Sequence, residues 1–523
     1  MTLEQIKIAV VLPDISSPPN WIMRLVSDVH LTEGLRLSAL IGPTKPPQRP
    51  SGNRLFRFWL WLERRLAANV EPLGEARFRD ACNEVPILHP SDETEISRLK
   101  PDVIIDLSGN QGLSCDPLFA RFGVWFLDCD AGDETTTSIR PIIGPEPVSR
   151  FTLFRRTHGD GKPCAVASGR VNTKFIAARN AVFLLEKSVG LVLRELTRLR
   201  LQGSVDETAD GVFIPVYRVT LPEILRYIVG LAGTSLRRVI EKIQVHLRLR
   251  PGMFFLKTLD GEVFSFDPAE ATSHIMADNA YQADPFLWRR DSKTWVFFET
   301  FDYSSNLGHI SAGLLCDNRL ENVRTALRRD YHLSFPFLFE DEEELFMMPE
   351  TCAVKRLEVW RCTRFPDQWE LHATALEGIV AADSSLAKID DQWWLFSNIS
   401  SDAFGDVNSE LHVFQVDGPA LREIVPHSLN PVVIDSRTAR NAGRILCMNG
   451  AIYRPSQDNS HGLYGYGVNI MHVEKLSLAE YSESLVRRIE PDFEPGIIGC
   501  HHLDFRDGQI IFDARKKLGG RGR

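Results

Sequence analysis

The feature that most constrains this chain is a repeat. From about residue 280, short runs of aromatic and aliphatic residues recur between turn residues, and five units can be laid out. The first takes in 283–288 (ADPFLW), 295–299 (WVFFE) and 309–315. The second takes in 333–339, 344–350 and 356–361; the third 382–386, 392–396 and 410–414. The fourth takes in 441–446, 451–454 and 466–472, and the fifth 500–505 and 509–513. Their first-strand landmarks, Asp284, Ser334, Asp383, Asn441 and His501, stand 50, 49, 58 and 60 residues apart. One such unit cannot bury its own faces, whereas a closed ring of them can, so the pattern predicts a five-bladed β-propeller. Two further apparent strands, 253–257 and 263–266, are expected to complete the fifth blade and close the ring.

Upstream the texture differs. Residues 6–12 (IKIAVVL) read as a buried strand, 21–29 as a helix and 35–41 as a second strand, a βαβ opening that implies a parallel sheet. A Pro- and Gly-rich loop over 42–53 precedes a Trp-rich amphipathic helix over 57–68, and 101–108 and 123–128 complete the strand set. Ligands of open α/β sheets bind beyond the carboxyl ends of the strands, which points to Ser108, Gly109, Asn110 and residues 128–133. A long helix over 174–201 closes the domain, and two shorter helices are expected near 221–231 and 235–245. The expected fold class is therefore multidomain: an α/β domain over 1–201, a helical connector over 202–245 and an all-β propeller over 246–523.

Length and charge agree with this division and exclude some functions. A chain of 523 residues exceeds what one hydrophobic core organises. Its net charge of −9 argues against a general nucleic-acid binder, which needs a concentrated basic face. The basic runs 194–200 and 237–250 read as solvated helix faces, with an anionic lipid or phosphate as the alternative partner. The first residues lack a secretory pattern, and no apolar stretch reaches the length of a transmembrane span. Nine scattered cysteines without a C-x-x-C pair suit a reducing compartment, so the expected location is cytoplasmic.

Innermost strands of a propeller point side chains at one central hollow, and acid–base work on a glycosidic bond needs carboxyl groups brought together in that way. Asp284 and Asp383 open blades one and three, and Glu350 ends the second strand of blade two. Asp284 is the expected base or nucleophile, Glu350 the acid and Asp383 the orienting partner. Glu299, His332, Arg440, Asn441, Arg444, Arg454, Gln457, Asp458 and His502 form the expected substrate-binding surround. Arg440 and Arg444 are the candidates for a phosphate or carboxylate clamp, with a structural fork between blade loops as the alternative. His501 and His502 alternate faces, so only one is expected to point inward. No metal site or cofactor is expected.

At these residues the chain resembles a known family. The motifs ADPF at 283–286, FET at 298–300, DYHLSFP at 330–336, MPE at 348–350, WWLF at 393–396, ARNAGR at 439–444 and YRPSQD at 453–458 are similar to the N-terminal propeller of plant glucosamine inositolphosphorylceramide transferases. That propeller in turn looks like the five-bladed fold of family 43 glycosidases. The resemblance implies a sugar-active or sugar-binding propeller over about 280–515, with the two Asp and one Glu of family 43 falling on Asp284, Asp383 and Glu350. Residues 6 to about 200 more weakly resemble the formyltransferase fold, through LKPDVIIDLSG at 99–109 and FGVWF at 122–126. The Asn-x-His element of that family has no counterpart here, because Asn110 lacks a His two residues on.

Three functions are consistent with these readings. The first is an enzyme of surface-glycan or glycolipid assembly, acting on a sugar or glycolipid with a nucleotide sugar as a candidate donor. The second is a catalytically silent glycan-binding module that serves a partner transferase. The third is a residual sugar N-formyltransferase in the N-terminal domain.

Overall fold

The computed structural model describes residues 3–42, 54–67, 75–109, 114–129, 139–158, 162–208, 219–246, 253–274, 280–317 and 319–516. The chain divides into two compact units: Met1–Leu236 with Ser401–Phe404, and Arg237–Ser400 with Gly405–Arg523.

In the first unit, β1 (Ile6–Val11), β2 (Leu35–Ile41), β3 (Ile87–Leu88), β4 (Val103–Asp106), β5 (Val124–Cys129), β6 (Ser149–Arg156) and β7 (Cys164–Val171) form one sheet ordered β3-β2-β1-β4-β5-β6-β7. Pairing is parallel from β3 through β5, and β6 runs antiparallel to both neighbours. Five of the six residues of β1 and all of β4 are apolar or acidic side chains buried in the sheet, as a strand covered on both faces requires. Helix Asn20–Leu31 makes the first crossover, and Ala177–Gln202 carries a long buried stripe. The two short helices expected near 221–231 and 235–245 are instead one, Leu221–His246, running through Gly230 and Gly233. An isolated glycine lowers helix propensity by only about 1 kcal/mol, which the continuous apolar spacing offsets.

The second unit is a ring of five antiparallel sheets. Blade 1 is Ala280–Arg290, Lys293–Asp302, Leu307–Cys316 and Arg319–Leu327. Blade 2 is Ser334–Asp341, Glu344–Glu350, Leu357–Arg364 and Gln368–Ala375. Blade 3 is Ala381–Ile389, Gln392–Ile399, Glu410–Val416 and Ile424–Pro426, with Val433–Ile434 added to its third strand. Blade 4 is Leu446–Met448, Ala451–Asp458, Gly467–Leu476 and Tyr481–Ile489. Blade 5 joins Ile497–Gly499, Leu503–Arg506 and Gln509–Lys516 from the end of the chain to Met253–Asp260 and Thr272–His274 from before blade 1. That pairing closes the ring. The closing strand is Thr272–His274 rather than residues 263–266, which turn sharply between Glu262 and Phe266.

One turn recurs in every blade. The first and second strands are joined through Asp291-Ser292, Glu342-Glu343, Asp390-Asp391, Asn449-Gly450 and Asp507-Gly508, all with positive φ at both residues. Two-residue loops of this kind match the right-handed twist of a hairpin. Acidic and Asn side chains tolerate the left-handed region better than most, which explains the composition.

Candidate active site

A second backbone device places the chemistry. In blades 1, 2 and 3 the pairing of first and second strands skips two residues, between Ala283 and Phe286, Ser334 and Phe337, and Ala382 and Ser385. At each skip one residue is left-handed: Asp284 (φ 52°), Phe335 (φ 46°) and Asp383 (φ 42°). Non-glycine residues hold such φ values only where the surroundings enforce them, and bulges of this kind re-aim side chains. The true phase of blade 2 is therefore Phe335, one residue past the landmark Ser334. First strands of neighbouring blades pack on one another, so these bulges face the middle of the ring.

The second strands supply a matching level. Glu299 lies opposite Ala283, Glu350 opposite Ser334 and Asn398 opposite Ala382. In blade 4 the Gln457 N–H donates to the Arg440 carbonyl, and in blade 5 the Asp513 N–H donates to the His502 carbonyl. Each blade thus presents one polar side chain at this height: Glu299, Glu350, Asn398, Gln457 and Asp513.

The predicted catalytic trio is drawn together by these positions. Arg440 Nε donates to Asp383 Oδ2 at 2.6 Å, and its Nη2 donates to Glu350 Oε2 at 3.2 Å, so one guanidinium spans both carboxylates. Gln457 Nε2 also donates to Asp383 Oδ2, at 2.8 Å. Asp284 accepts from the Phe335 N–H at 3.2 Å through Oδ2, while its Oδ1 lies 3.2 Å from His501 Nε2 and 3.7 Å from His502 Nδ1. Both histidines therefore reach Asp284. Cys500, His501 and His502 lie between strands rather than in one, so the strand alternation on which a single inward side chain was expected does not apply.

Electrostatics sets these carboxyl groups apart. Burial would raise Asp284, but His501, His502 and Arg440 outweigh it and hold the carboxylate at about 2. Burial, reinforced by the negative charge of Asp284, drives Glu299 well above the ordinary carboxyl range. Burial also lifts Asp383 to about 7, against the downward pull of Arg440. Burial alone would neutralise His501; Asp513 and Asp284 keep it protonated, well above its ordinary value. Glu299, expected from the sequence in the substrate-binding surround, is thereby a candidate for the acid role that the sequence pattern gave to Glu350.

Glu299 is held by small parts. Tyr281 hydrogen-bonds to it. His332 Nδ1 accepts from the Gly308 N–H at 2.9 Å, which leaves Nε2, 3.5 Å from Glu299 Oε1, to carry the proton. A methyl group at Gly308 would lie 2.6 Å from His332 Cε1 and 2.7 Å from Glu299 Oε1.

Other predicted binding residues are taken up by the fold. Arg440 and Arg444 diverge: Arg444 bonds to Asp504 and to the carbonyls of Leu287 and Leu338, tying blades 1, 2 and 5 to blade 4. Arg454 is fully buried against Glu483 and the carbonyls of Thr438 and Ala439. Asn441 donates to the carbonyls of Asp383 and Phe396, and Asp458 lies 4.0 Å from Arg488. His502 is buried between the Phe286 and Phe335 rings.

Sequence reasoning chose His502 over His501 and missed Asp513, Tyr464 and Tyr281. His501 Nδ1 lies 2.8 Å from Asp513 Oδ2, so His501 bridges two carboxylates. Asp284, His501 and Asp513 each present a ligand atom within 4.8 Å of the others; the group could hold a cation, although the charge on His501 already offsets part of its negative charge. Tyr464, two-fifths exposed, sets its ring under the Arg440 guanidinium at 5.1 Å and edge-on to His501 at 5.2 Å. Tyr281 stacks on Phe301 at 4.9 Å with Tyr303 at its edge, giving a partly exposed aromatic rim. Phase could have found Asp513, which closes the apolar run 509–513 as Glu299 and Glu350 close the runs 295–299 and 344–350. In the first unit, Ser108 is tied to Asp106 by its N–H and hydroxyl, while Asn110 and residues 130–133 lie outside the described residues.

The ring is similar to known proteins. Residues 268–492 match the family described as glucosamine inositolphosphorylceramide transferase 1, N-terminal. The propeller carries that domain. Over 207 residues, 39% of this chain, it is 36% identical to glucosamine inositolphosphorylceramide transferase 1 of Oryza sativa subsp. japonica and 32% identical to that of Arabidopsis thaliana. The matched region spans 27% of the length of each relative. Among solved structures, the family 117 glycoside hydrolase Zg3597 of Zobellia galactanivorans aligns with 50% of this chain and 91% of its own, at 8% identity and a TM-score of 0.33. An exo-β-1,3-galactanase of Phanerochaete chrysosporium aligns with 45% of this chain and 54% of its own, at 12% identity and a TM-score of 0.30.

Proposed function

We propose that the propeller acts on a glycosyl unit of a glycolipid or surface glycan during its assembly, by transfer or cleavage, through acid–base chemistry in the centre of the ring. One observation carries the reading. Asp284 and Glu299, neighbours across one bulge, are pushed to opposite protonation states, and such a divergence marks an acid and a base. Asp284 is the base or nucleophile, and Glu299 the proton source. Asp383 and Glu350, clamped by Arg440, orient the sugar. The similarity to the glucosamine inositolphosphorylceramide transferases supports a glycolipid as substrate, with a nucleotide sugar as candidate donor.

The test is a turnover screen of the purified chain with aryl glycosides, and with nucleotide sugars plus glycolipid acceptors. Asp284→Asn and Glu299→Gln should each abolish the activity found while both variants remain folded, Asp284→Asn with a stability loss of about 2 kcal/mol. Undiminished activity in either variant contradicts the assignment.

The aromatic rim of Tyr281, Phe301, Tyr303 and Tyr464 favours a second reading, a module that binds glycan by ring stacking for a partner transferase. Tyr464→Ala would then weaken glycan binding in a protein with no turnover. A cytoplasmic location belongs to the same proposal; the free thiols of Cys115, Cys352 and Cys500 agree with it. Among the described residues no helix is long and apolar enough to cross a membrane.

A further inference from the structure

We propose that helices Arg54–Ala67 and Leu221–His246 present a docking face for the surface of an anionic lipid bilayer. The inference goes beyond the chemistry in the ring and does not depend on it.

Each helix uses one face for packing. Phe56 and Leu60 are buried with Ala177, Ile224 and Tyr227, and the Tyr227 hydroxyl donates to Glu63 Oε1 at 2.6 Å while accepting the Ala177 N–H at 3.0 Å. A soluble amphipathic helix would be polar on the rest of its surface. Here a second apolar arc is exposed instead: Phe58 (61%), Trp61 (46%) and Leu66 (77%) on one helix, Leu225 (55%), Val229 (71%) and Leu236 (62%) on the other. The spacing of 225, 229 and 236 is that of a straight helical stripe.

Charge decides what covers it. Helix Arg54–Ala67 carries four basic residues and one acidic; Leu221–His246 carries four basic (Arg226, Arg237, Arg238, Lys242) and two acidic. Both helices are cationic in a chain of net charge −9. The Arg65 guanidinium lies over the Trp61 ring at 4.5 Å, so cation and aromatic side chain share one place on the surface. Trp, Phe and Leu interleaved with Arg are what an interfacial helix offers: rings enter the boundary between headgroup and acyl chain while guanidiniums meet phosphate. A second copy of this chain fits less well, because a symmetric pairing would bring the same arginines towards each other.

Flotation of the full chain with phosphatidylcholine vesicles, with and without phosphatidylserine, tests the assignment and involves no sugar. The wild type should float with the anionic vesicles and bind the neutral ones about tenfold less, with the difference shrinking as salt is added. Phe58→Ser/Leu66→Ser/Val229→Ser should reduce binding to anionic vesicles by about tenfold or more. Arg226→Glu should weaken the preference for phosphatidylserine. These side chains are exposed, so the unfolding temperature should not move; if the triple variant fails to fold, Phe58→Ser alone serves. Absence of wild-type flotation, or a triple variant that floats like the wild type, overturns the proposal. A wild-type dimer in sedimentation that the triple variant lacks also overturns it, by giving the face to a second copy.

Discussion

In blades 1 and 3 the first strand carries an aspartate at the same left-handed bulge, and the two side chains meet opposite surroundings. Asp284 faces a protonated His501 and is held at about 2; Asp383, equally buried, is lifted to about 7 despite the Arg440 guanidinium 2.6 Å away. Blade 2 puts Phe335 in the same slot. The repeat therefore supplies a position, and the neighbours contributed by other blades decide whether that position holds a strong acid, a weak one or a packing residue. Blade 5 lends His501 and Asp513 to blade 1, and blade 4 lends Arg440 and Gln457 to blade 3.

The comparison breaks first at Asp284. Asp284→Asn should lower turnover by about 10²–10⁴, the usual weight of a general acid–base group, with Asp383→Asn costing less; equal losses would erase the distinction between the blades. Removing the cation of blade 4 is next. Arg440→Met leaves Asp383 and Glu350 buried without a counter-charge and should destabilise by about 3–5 kcal/mol in urea unfolding. Arg440→Met/Asp383→Asn should recover part of that loss.

The pH dependence of stability sharpens the same contrast. Asp284 is held below its ordinary value, so its contribution of about 2 kcal/mol is present above about pH 4 and is lost as pH falls towards about 2. Asp383 is raised, so the sign reverses: its contribution is present below about pH 4 and is lost as pH rises through about 7. Unfolding free energies measured across this range should show the acid limb flattened in Asp284→Asn and the neutral limb flattened in Asp383→Asn. The smallest expected effect is at Gly308→Ala, about 1–3 kcal/mol from crowding Glu299 and His332. A smaller change would show that Glu299 has room to move.

Much of this ring is legible in the sequence, because aromatic strands separated by short turns that open on Asp, Glu or Asn recur five times. Asp284, Asp383 and Glu350 fall in phase for that reason. Phase also explains the misplaced landmark: Ser334 looks polar like its counterparts, whereas Phe335 occupies the bulge. His501 and Asp513 were harder to read. Their roles arise from contacts across a ring closed by Met253–Asp260, more than 200 residues earlier in the chain, and no local spacing records that meeting. Arg444 and Arg454 mislead for the opposite reason, since an arginine beside a strand end looks the same whether it meets a ligand or a neighbouring blade.

The central claim is that Glu299 keeps its proton while Asp284 does not. Infrared difference spectra between the wild type and single variants, recorded at slightly alkaline pH, read this directly through the carbonyl stretch of a protonated carboxyl group. The account predicts that Glu299→Gln removes such a band and Asp284→Asn removes none. A band that survives Glu299→Gln unchanged would contradict it.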